Sequence, residues 1–276
     1  YKFNGKELDE ATQMYYYGAR YYDPRISIFV SVDPLAEKTM QPYIYCANNP
    51  ILFVDPDGRH IIIYYKNAQG KEVPYIYGSK MRMPSNKYVR NTVKMIDKLT
   101  MTGSFDNITI LGKKMDKNML KQMIDDKNRH LSVLEIYNKG NQNSSAYIPQ
   151  DYIPGTYNPK EGKYGSFAGN SSYGTLRIND EYGIEFDING KTYTNSPTSQ
   201  TAHEIIHAIH KELDINSYNE RRDSKTYIPG LGNMEEQITT QETNQINERL
   251  GEPSRQDYTG TMIKMDDPTV NKKSEK

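Results

Sequence analysis

The spacing of apolar and polar positions changes several times along the chain, and each change marks an element. "IIIYY" at 61–65 is a short unbroken apolar run, as expected of a strand buried on both faces. "NKYVRNTVKMIDKLT" at 86–100 places Val89, Val93, Ile96 and Leu99 three or four apart, which predicts a helix with one apolar face. "DKNMLKQMIDD" at 116–126 predicts a shorter helix, and "HLSVLEIY" at 130–137 a strand. From 138 to 174 the chain is rich in Asn, Ser, Gly, Pro and Tyr and reads as a long loop or insertion. "GIEFDINGKTYT" at 183–194 alternates Ile184, Phe186 and Ile188, then breaks at Asn189-Gly190, the signal of a hairpin.

Two further helices follow. "SPTSQTAHEIIHAIHKEL" at 196–213 opens with Ser196 as N-cap and Pro197 in the first turn. At about 100° per residue, His203 and His207 stack on one face with Glu204 at its edge. Ala202, Ile205, Ile206, Ile209 and Leu213 gather on the other side. "NMEEQITTQETNQINERLG" at 233–251 predicts a helix ending at Gly251, with Ile238, Ile246 and Leu250 on its buried side.

The first sixty residues have another texture. They are dense in tyrosine and carry three Asp-Pro pairs, at Asp23, Asp33 and Asp55. Short strands separated by Asp-Pro, Asn-Pro and Asp-Gly turns make a β-meander the expectation.

Composition narrows the function classes. The 24 tyrosines and 12 methionines among 276 residues supply enough apolar bulk for a folded core. Lysine plus arginine equals aspartate plus glutamate, 35 against 35, which argues against a nucleic-acid partner. The single cysteine, Cys46, excludes an internal disulfide and a thiolate-rich zinc site. No apolar stretch has the length of a membrane span. The opening at Tyr1, without methionine or signal-like run, reads as a fragment of a longer polypeptide.

Three of the five histidines fall within "HEIIHAIH", 203–210. Two neutral imidazoles one helical turn apart can reach one ion, and the carboxylate beside the first can hold a water against it. His203 and His207 are therefore candidate zinc ligands and Glu204 the candidate general base. His210 follows His207 by three, with no glycine between, and reads as a helix-surface residue or an outer partner of the ligands. A third ligand is needed, and Glu235, Glu236 and Glu242 are available downstream. Helical phase leaves the choice open, leaning to Glu235 and Glu242.

"YYYGARYYDPRISIFVSVDP" at 15–34 and "YIYCANNPILFVDPDG" at 43–58 resemble the end of the Rhs repeat-associated core, the final YD-repeat segment of polymorphic-toxin shells. The resemblance implies a shell that encapsulates a variable C-terminal toxin beginning just past Gly58. It also implies self-cleavage near that junction with aspartates taking part, so Asp33 and Asp55 are candidates, with a turn role equally open to each. "HEIIHAIH … EEQIT" is similar to the gluzincin pattern of clostridial neurotoxin light chains and NleD-like effector metallopeptidases. That resemblance implies Glu236 as third zinc ligand, Glu235 as its outer partner and Thr239 in the family's threonine position. "ETNQINERLGEPSRQDY" at 242–258 is similar to the NleD-like ending, which implies that Arg255 and Tyr258 steady the oxyanion. Thr243 departs from the family, which has Glu and Asn adjacent there.

The expectation is an α+β chain: a β-rich Rhs-like segment at 1–58 and a zincin-like (gluzincin) metallopeptidase toxin at 59–276. Its cofactor is Zn2+, and its partners are a protein substrate in a target cell, a cognate immunity protein and the parent Rhs shell. It is secreted, or delivered by a contact-dependent or secretion system. Two alternatives stand beside it, a shell fragment with a degenerate toxin and a nuclease toxin. The "YGIEFDI" strand is further expected to border the cleft and accept substrate as an added strand.

Overall fold

The computed structural model describes residues 7–16, 21–26, 28–30, 61–79, 81–115, 118–126, 129–136, 145–149, 151–152, 166–167 and 172–271. Asp33, Asp55 and Cys46 lie outside them.

Within the tyrosine-rich opening the described residues form a meander, as expected. Strands β1 (Glu7–Asp9), β2 (Met14–Tyr16), β3 (Tyr21–Asp23) and β4 (Ile28–Phe29) pair antiparallel in chain order. Turn chemistry sets the corners: Asp9 accepts the backbone N–H of Ala11, and Asp23 accepts both the N–H and the guanidinium of Arg25. Tyr15 and Tyr22, paired across β2 and β3, are buried, as is Asp23.

The rest of the chain is mixed α and β. Strand β5 (Ile61–Lys66) leads into β6 (Glu72–Ile76), then α1 (Lys87–Met101), the short pair β7 (Thr109–Ile110) and β8 (Lys113–Lys114), α2 (Met119–Asp125) and β9 (His130–Glu135). Next come β10 (Ala146–Ile148), β11 (Asp151–Tyr152), β12 (Ser166–Phe167) and β13 (Ser172–Ile178). The five-stranded sheet has the order β10-β13-β9-β5-β6. Its three inner strands run parallel and its two outer ones antiparallel to their neighbours. The apolar run of β5 is buried on both faces, as an inner strand requires. Ile61 and Ile63 join the main core, while Ile62 and Tyr64 meet Leu134 on the other side.

The 138–174 stretch is not simply a loop. Its described parts are strands, and β10 closes one edge of the main sheet. Their brevity hid them: two or three residues carry no readable period.

The hairpin is as expected, β14 (Tyr182–Ile188) and β15 (Lys191–Asn195) joined through Asn189 (φ 52°) and Gly190 (φ 77°). This left-handed pair is what a tight hairpin needs and what Asn-Gly tolerates. The final strand, β16 (Thr261–Lys264), pairs along the other side of β14.

Helix α3 (Pro197–Leu213) carries the histidines, and α4 (Ile215–Arg222) and α5 (Met234–Leu250) follow it. Ser196 caps α3 by accepting from Ser199 N, and Asn233 caps α5 by accepting from Glu236 N at 2.9 Å. Gly251 ends α5 in the left-handed conformation, φ 69°. Glu252, just beyond, accepts from Ser196 N and Oγ at 2.8 and 2.5 Å, tying the end of α5 to the start of α3.

Two expectations about faces need correcting. Helix α3 is buried on every side from Pro197 to His210, whereas Leu213 is exposed. It lies among the sheet, α1 and α5, and its histidine-bearing side faces a cavity and not the outer surface. Nor is the inner side of α5 apolar: Glu235, Thr239, Thr240, Glu242, Thr243 and Asn247 are buried there, Ile246 is the one buried aliphatic, and Ile238 is half-buried. These helices meet across a polar seam. Apolar anchoring comes instead from Ile205, Ile206 and Ile209 facing the main core, each worth about 1.5–3 kcal/mol on burial.

Candidate metal centre

Helices α3 and α5 run antiparallel and touch rung by rung. Ser199 Oγ donates to Asn247 Oδ1 at 2.6 Å. His203 Nδ1 meets Thr243 Oγ1 at 3.2 Å, and His207 Nδ1 meets Thr239 Oγ1 at 3.2 Å. His210 Nδ1 meets Glu235 Oε1 at 2.6 Å. Each step of three or four along α3 matches a step of four back along α5, which is why the same i, i+4 faces stay in contact.

On the cleft side of that seam three donor atoms converge. His203 Nε2 lies 3.2 Å from His207 Nε2 and 3.2 Å from Glu236 Oε2, and His207 Nε2 lies 3.1 Å from Glu236 Oε2. The hydroxyl of Tyr258 presses on both His203 Nε2 and Glu236 Oε2. Protons cannot satisfy a triangle of this kind. Three hydrogen bonds need three protons, a carboxylate brings none, and each Nε2 brings at most one. The edge of a zinc tetrahedron with bonds of 2.0–2.1 Å is about 3.3–3.4 Å, close to the distances found. The donor set, two imidazoles and a carboxylate, suits zinc.

The outer nitrogens are held as metal-binding imidazoles usually are. His207 Nδ1 faces Glu235 Oε1 at 3.0 Å. Glu235 is the hub behind the site: its Oε1 also takes His210 Nδ1, and its Oε2 takes Arg221 Nε at 2.6 Å. His210 is completely buried, with Glu242 Oε2 at 2.6 Å from its other nitrogen. With a carboxylate on each side, both ring nitrogens donate and the ring is an imidazolium. Glu242 Oε1 in turn accepts the backbone N–H of Leu111 at 2.6 Å. The surface option for His210 is thereby excluded. Glu242, favoured by helical phase as a ligand, grips His210 instead.

Burial and charge shift these groups in different directions. Burial moves His203 down to about 4. Burial would lower His207 too, but Glu235 and Glu236 on its two nitrogens outweigh this and raise it to about 10. A proton on His207 Nε2 and a cation at the triangle therefore compete for one position, the proton satisfying one edge and the cation all three. His210 is raised by Glu235 and Glu242 against the effect of burial. Glu235 and Glu236 are held well below the usual carboxylate range by their histidines, which overcome desolvation. Glu204 goes the other way, up to about 7, because burial dominates; it accepts a backbone N–H from Tyr147 of β10.

All of this opens on a cavity of about 550 Å³. Glu204, His203, His207, Glu236, Tyr258 and Arg255 line it. Arg255 stands with its Cζ 5.5 Å from the Phe186 ring and 5.4 Å from that of Tyr258. Its Nε and Nη2 are buried without a hydrogen-bond partner among the described residues. Desolvation lowers its pKa.

The structure thus brings His203, Glu204, His207, Glu236, Arg255 and Tyr258 to one cavity, and sets Glu235, His210 and Thr239 behind it. In the sequence Thr243 stands out only as a departure from the resembled family, yet it contacts His203. The readable signal was the stripe Glu235, Thr239, Thr243, Asn247, polar residues at a spacing of four matching the spacing on α3. The hairpin expectation needs correction in one respect. Ile184 does line the cavity, but β14 is flanked by β15 and β16, so neither of its edges can take an added strand. Among the described residues two sheet edges reach the cavity, β10 through Ala146 and Tyr147 and β16 through Met262.

No family model matches the chain, and no solved structure matches it. Curated relatives match over about a fifth to a quarter of it. Salivary gland surface protein 1 of Aedes aegypti is 44% identical over 59 residues, 21% of this chain and 2% of that protein. The tRNA nuclease WapA of Bacillus subtilis is 41% identical over 66 residues, 22% of this chain and 3% of that protein. Toxin subunit YenC2 of Yersinia entomophaga is 43% identical over 58 residues, 21% of this chain and 6% of that protein. The chain shares a stretch with toxin-type proteins while spanning only a few per cent of their length. No helix among the described residues is long and apolar enough to cross a membrane.

Proposed function

We propose that this chain is the C-terminal part of an Rhs-type polymorphic toxin, and that residues 59–276 are a zincin-like, zinc-dependent endopeptidase acting on a protein of a target cell. The observation that carries the reading is the triangle of His203 Nε2, His207 Nε2 and Glu236 Oε2, with edges of 3.1–3.2 Å that protons cannot satisfy together. The likeness to YenC2 and WapA over about a fifth of the chain supports the toxin half of the proposal.

His203, His207 and Glu236 would hold the ion, whose Lewis acidity makes water acidic near neutral pH and polarises a carbonyl. Glu204, buried in the same cavity, takes the proton of the attacking water and passes it to the leaving amine. Its pKa of about 7 suits both transfers. Tyr258 and Arg255 supply O–H and N–H donors for the oxyanion, and the unpartnered Nε and Nη2 of Arg255 are free for that purpose. An extended peptide would lie along β10. Delivery into a target cell, encapsulation by the parent shell and neutralisation by an immunity protein belong to the same proposal.

The WapA relatives favour a second reading, a nuclease acting on RNA, because that is what their name says of them. The cavity does not favour it. Its carboxylates cluster at the histidines, and the chain carries no net positive charge to hold phosphates.

The experiment is incubation of the chain and its Glu204→Gln variant with cell lysate, followed by cleavage-site proteomics and, in parallel, by RNA integrity analysis. Chelator-sensitive peptide cuts made by the wild type and reduced at least 100-fold in the variant support the peptidase. RNA cleavage without peptide cleavage replaces it with the nuclease, and no cleavage of either supports a shell fragment with a degenerate toxin.

A further inference from the structure

Thr243 sits where the sequence departs from the family it resembles, and the structure gives this residue a task. Its hydroxyl oxygen is 2.7 Å from the carbonyl oxygen of Thr239 and 3.2 Å from His203 Nδ1. A hydroxyl has one proton and two lone pairs. The carbonyl can only accept, and it is the nearer partner, so the proton goes to Thr239. What remains toward the histidine is a lone pair. His203 Nδ1 must then be the donor, and the neutral ring carries its proton on Nδ1 and its lone pair on Nε2, the atom at the triangle. The helix itself thus fixes the tautomer: the backbone carbonyl of Thr239 aims the hydroxyl of Thr243, and the hydroxyl aims the ring.

From this geometry we infer that Thr243 is a positioning residue that sets the tautomer and orientation of His203 for metal binding. The inference rests on the zinc reading above. Thr243 is buried between α3 and α5 at the wall of the cavity, and in a valine variant a methyl group would fill the place of its oxygen. His207 Nδ1 has the carboxylate of Glu235 at 3.0 Å beside the Thr239 hydroxyl at 3.2 Å. The two imidazoles therefore differ in support, a neutral hydroxyl for one and a charged hub with a hydroxyl for the other. Loss of the hydroxyl frees His203 to adopt the other tautomer, whose Nε2–H points a proton at the ion. An outer partner of this kind is worth about 10- to 100-fold in metal affinity.

The test uses the full chain and compares wild type with Thr243→Val, which keeps the shape and removes the oxygen, and Thr243→Ser, which restores it. Zinc affinity is read by competition with a chromophoric chelator, and unfolding of the metal-free proteins checks that each is folded. The expected result is a 10- to 100-fold weaker zinc affinity for the valine variant and recovery to within about threefold for serine. Long-range 15N–1H spectra of the metal-free wild type provide an independent readout, with His203 expected as the Nδ1–H tautomer. If the wild type binds zinc and the valine variant matches it, or His203 carries its proton on Nε2, the positioning role is overturned. A folded wild type that binds no zinc overturns the metal reading itself and this role with it. If the valine variant does not fold, the affinity of the serine variant and the wild-type tautomer decide between the two.

Discussion

Replacing Glu235 with glutamine tests the hub behind the proposed metal centre. Glu235 is 1% exposed and takes three N–H donors, from His207, His210 and Arg221. Glutamine has nearly the same shape but only one accepting oxygen, so its amide N–H2 must face one of those donors. The substitution also leaves the Arg221 guanidinium without its carboxylate and His210 with that of Glu242 alone. Breaking a buried pair by removing one partner costs about 3–5 kcal/mol, out of a total stability of about 5–15 kcal/mol. Urea unfolding of the metal-free protein measures it. Glu212→Gln serves as control: its pair with Arg129 is about a third exposed and is worth at most about 1 kcal/mol. Zinc affinity should fall with Glu235→Gln as well, by about 10- to 100-fold, because His207 Nδ1 loses its carboxylate. A loss below about 1 kcal/mol, no larger than the control's, would refute the assignment of Glu235 as the charge that holds α5 to α3.

The remaining expectations concern pH, backbone and metal. Ionising Glu204 in the fold is unfavourable, since burial raises its pKa from 4.5 to about 7. The metal-free protein should therefore be stabilised by this group at low pH and lose that contribution as pH rises from 4.5 through about 7. Glu204→Gln should remove up to about 3 kcal/mol of that slope in unfolding measured across the range; identical slopes would count against burial as the cause. Gly251→Ala should cost about 1 kcal/mol in thermal unfolding, because φ is 69° although the space is open. Gly183→Ala should cost more, since an added Cβ would meet Asn195 O at 2.4 Å. Zinc at a thousand times its dissociation constant should stabilise the chain by about 4 kcal/mol, and a chelator should reverse this; unaltered melting would argue against a site formed only in the fold.

Much of the site was legible because it is local. Ser196 and Pro197 fix where α3 begins, and a known start fixes which face His203 and His207 share. Asn189-Gly190 fixes the hairpin in the same way. The third ligand proposed here was not legible from phase, and the reason is physical. Phase arguments select buried positions, whereas the Glu236 side chain at the mouth of the cleft is 30% exposed and that of Glu235 is 1%. Resemblance pointed to Glu236 where periodicity pointed elsewhere. His210 was ambiguous because nothing in one helix shows that another, α5, covers it. Strands β10 to β12 were missed because two or three residues pair through partners distant in the chain. The polar face of α5 inverted the usual rule that the inner face is apolar, because its partners are histidines and not a core.

The most direct measurement of the central claim is X-ray absorption at the zinc edge on the purified chain, with metal content determined alongside. Near-stoichiometric zinc with two imidazole nitrogens and carboxylate oxygen at about 2.0–2.2 Å is the predicted result, with zinc lost on Glu236→Ala. A folded chain that takes up no zinc, or keeps the same coordination after Glu236→Ala, contradicts it.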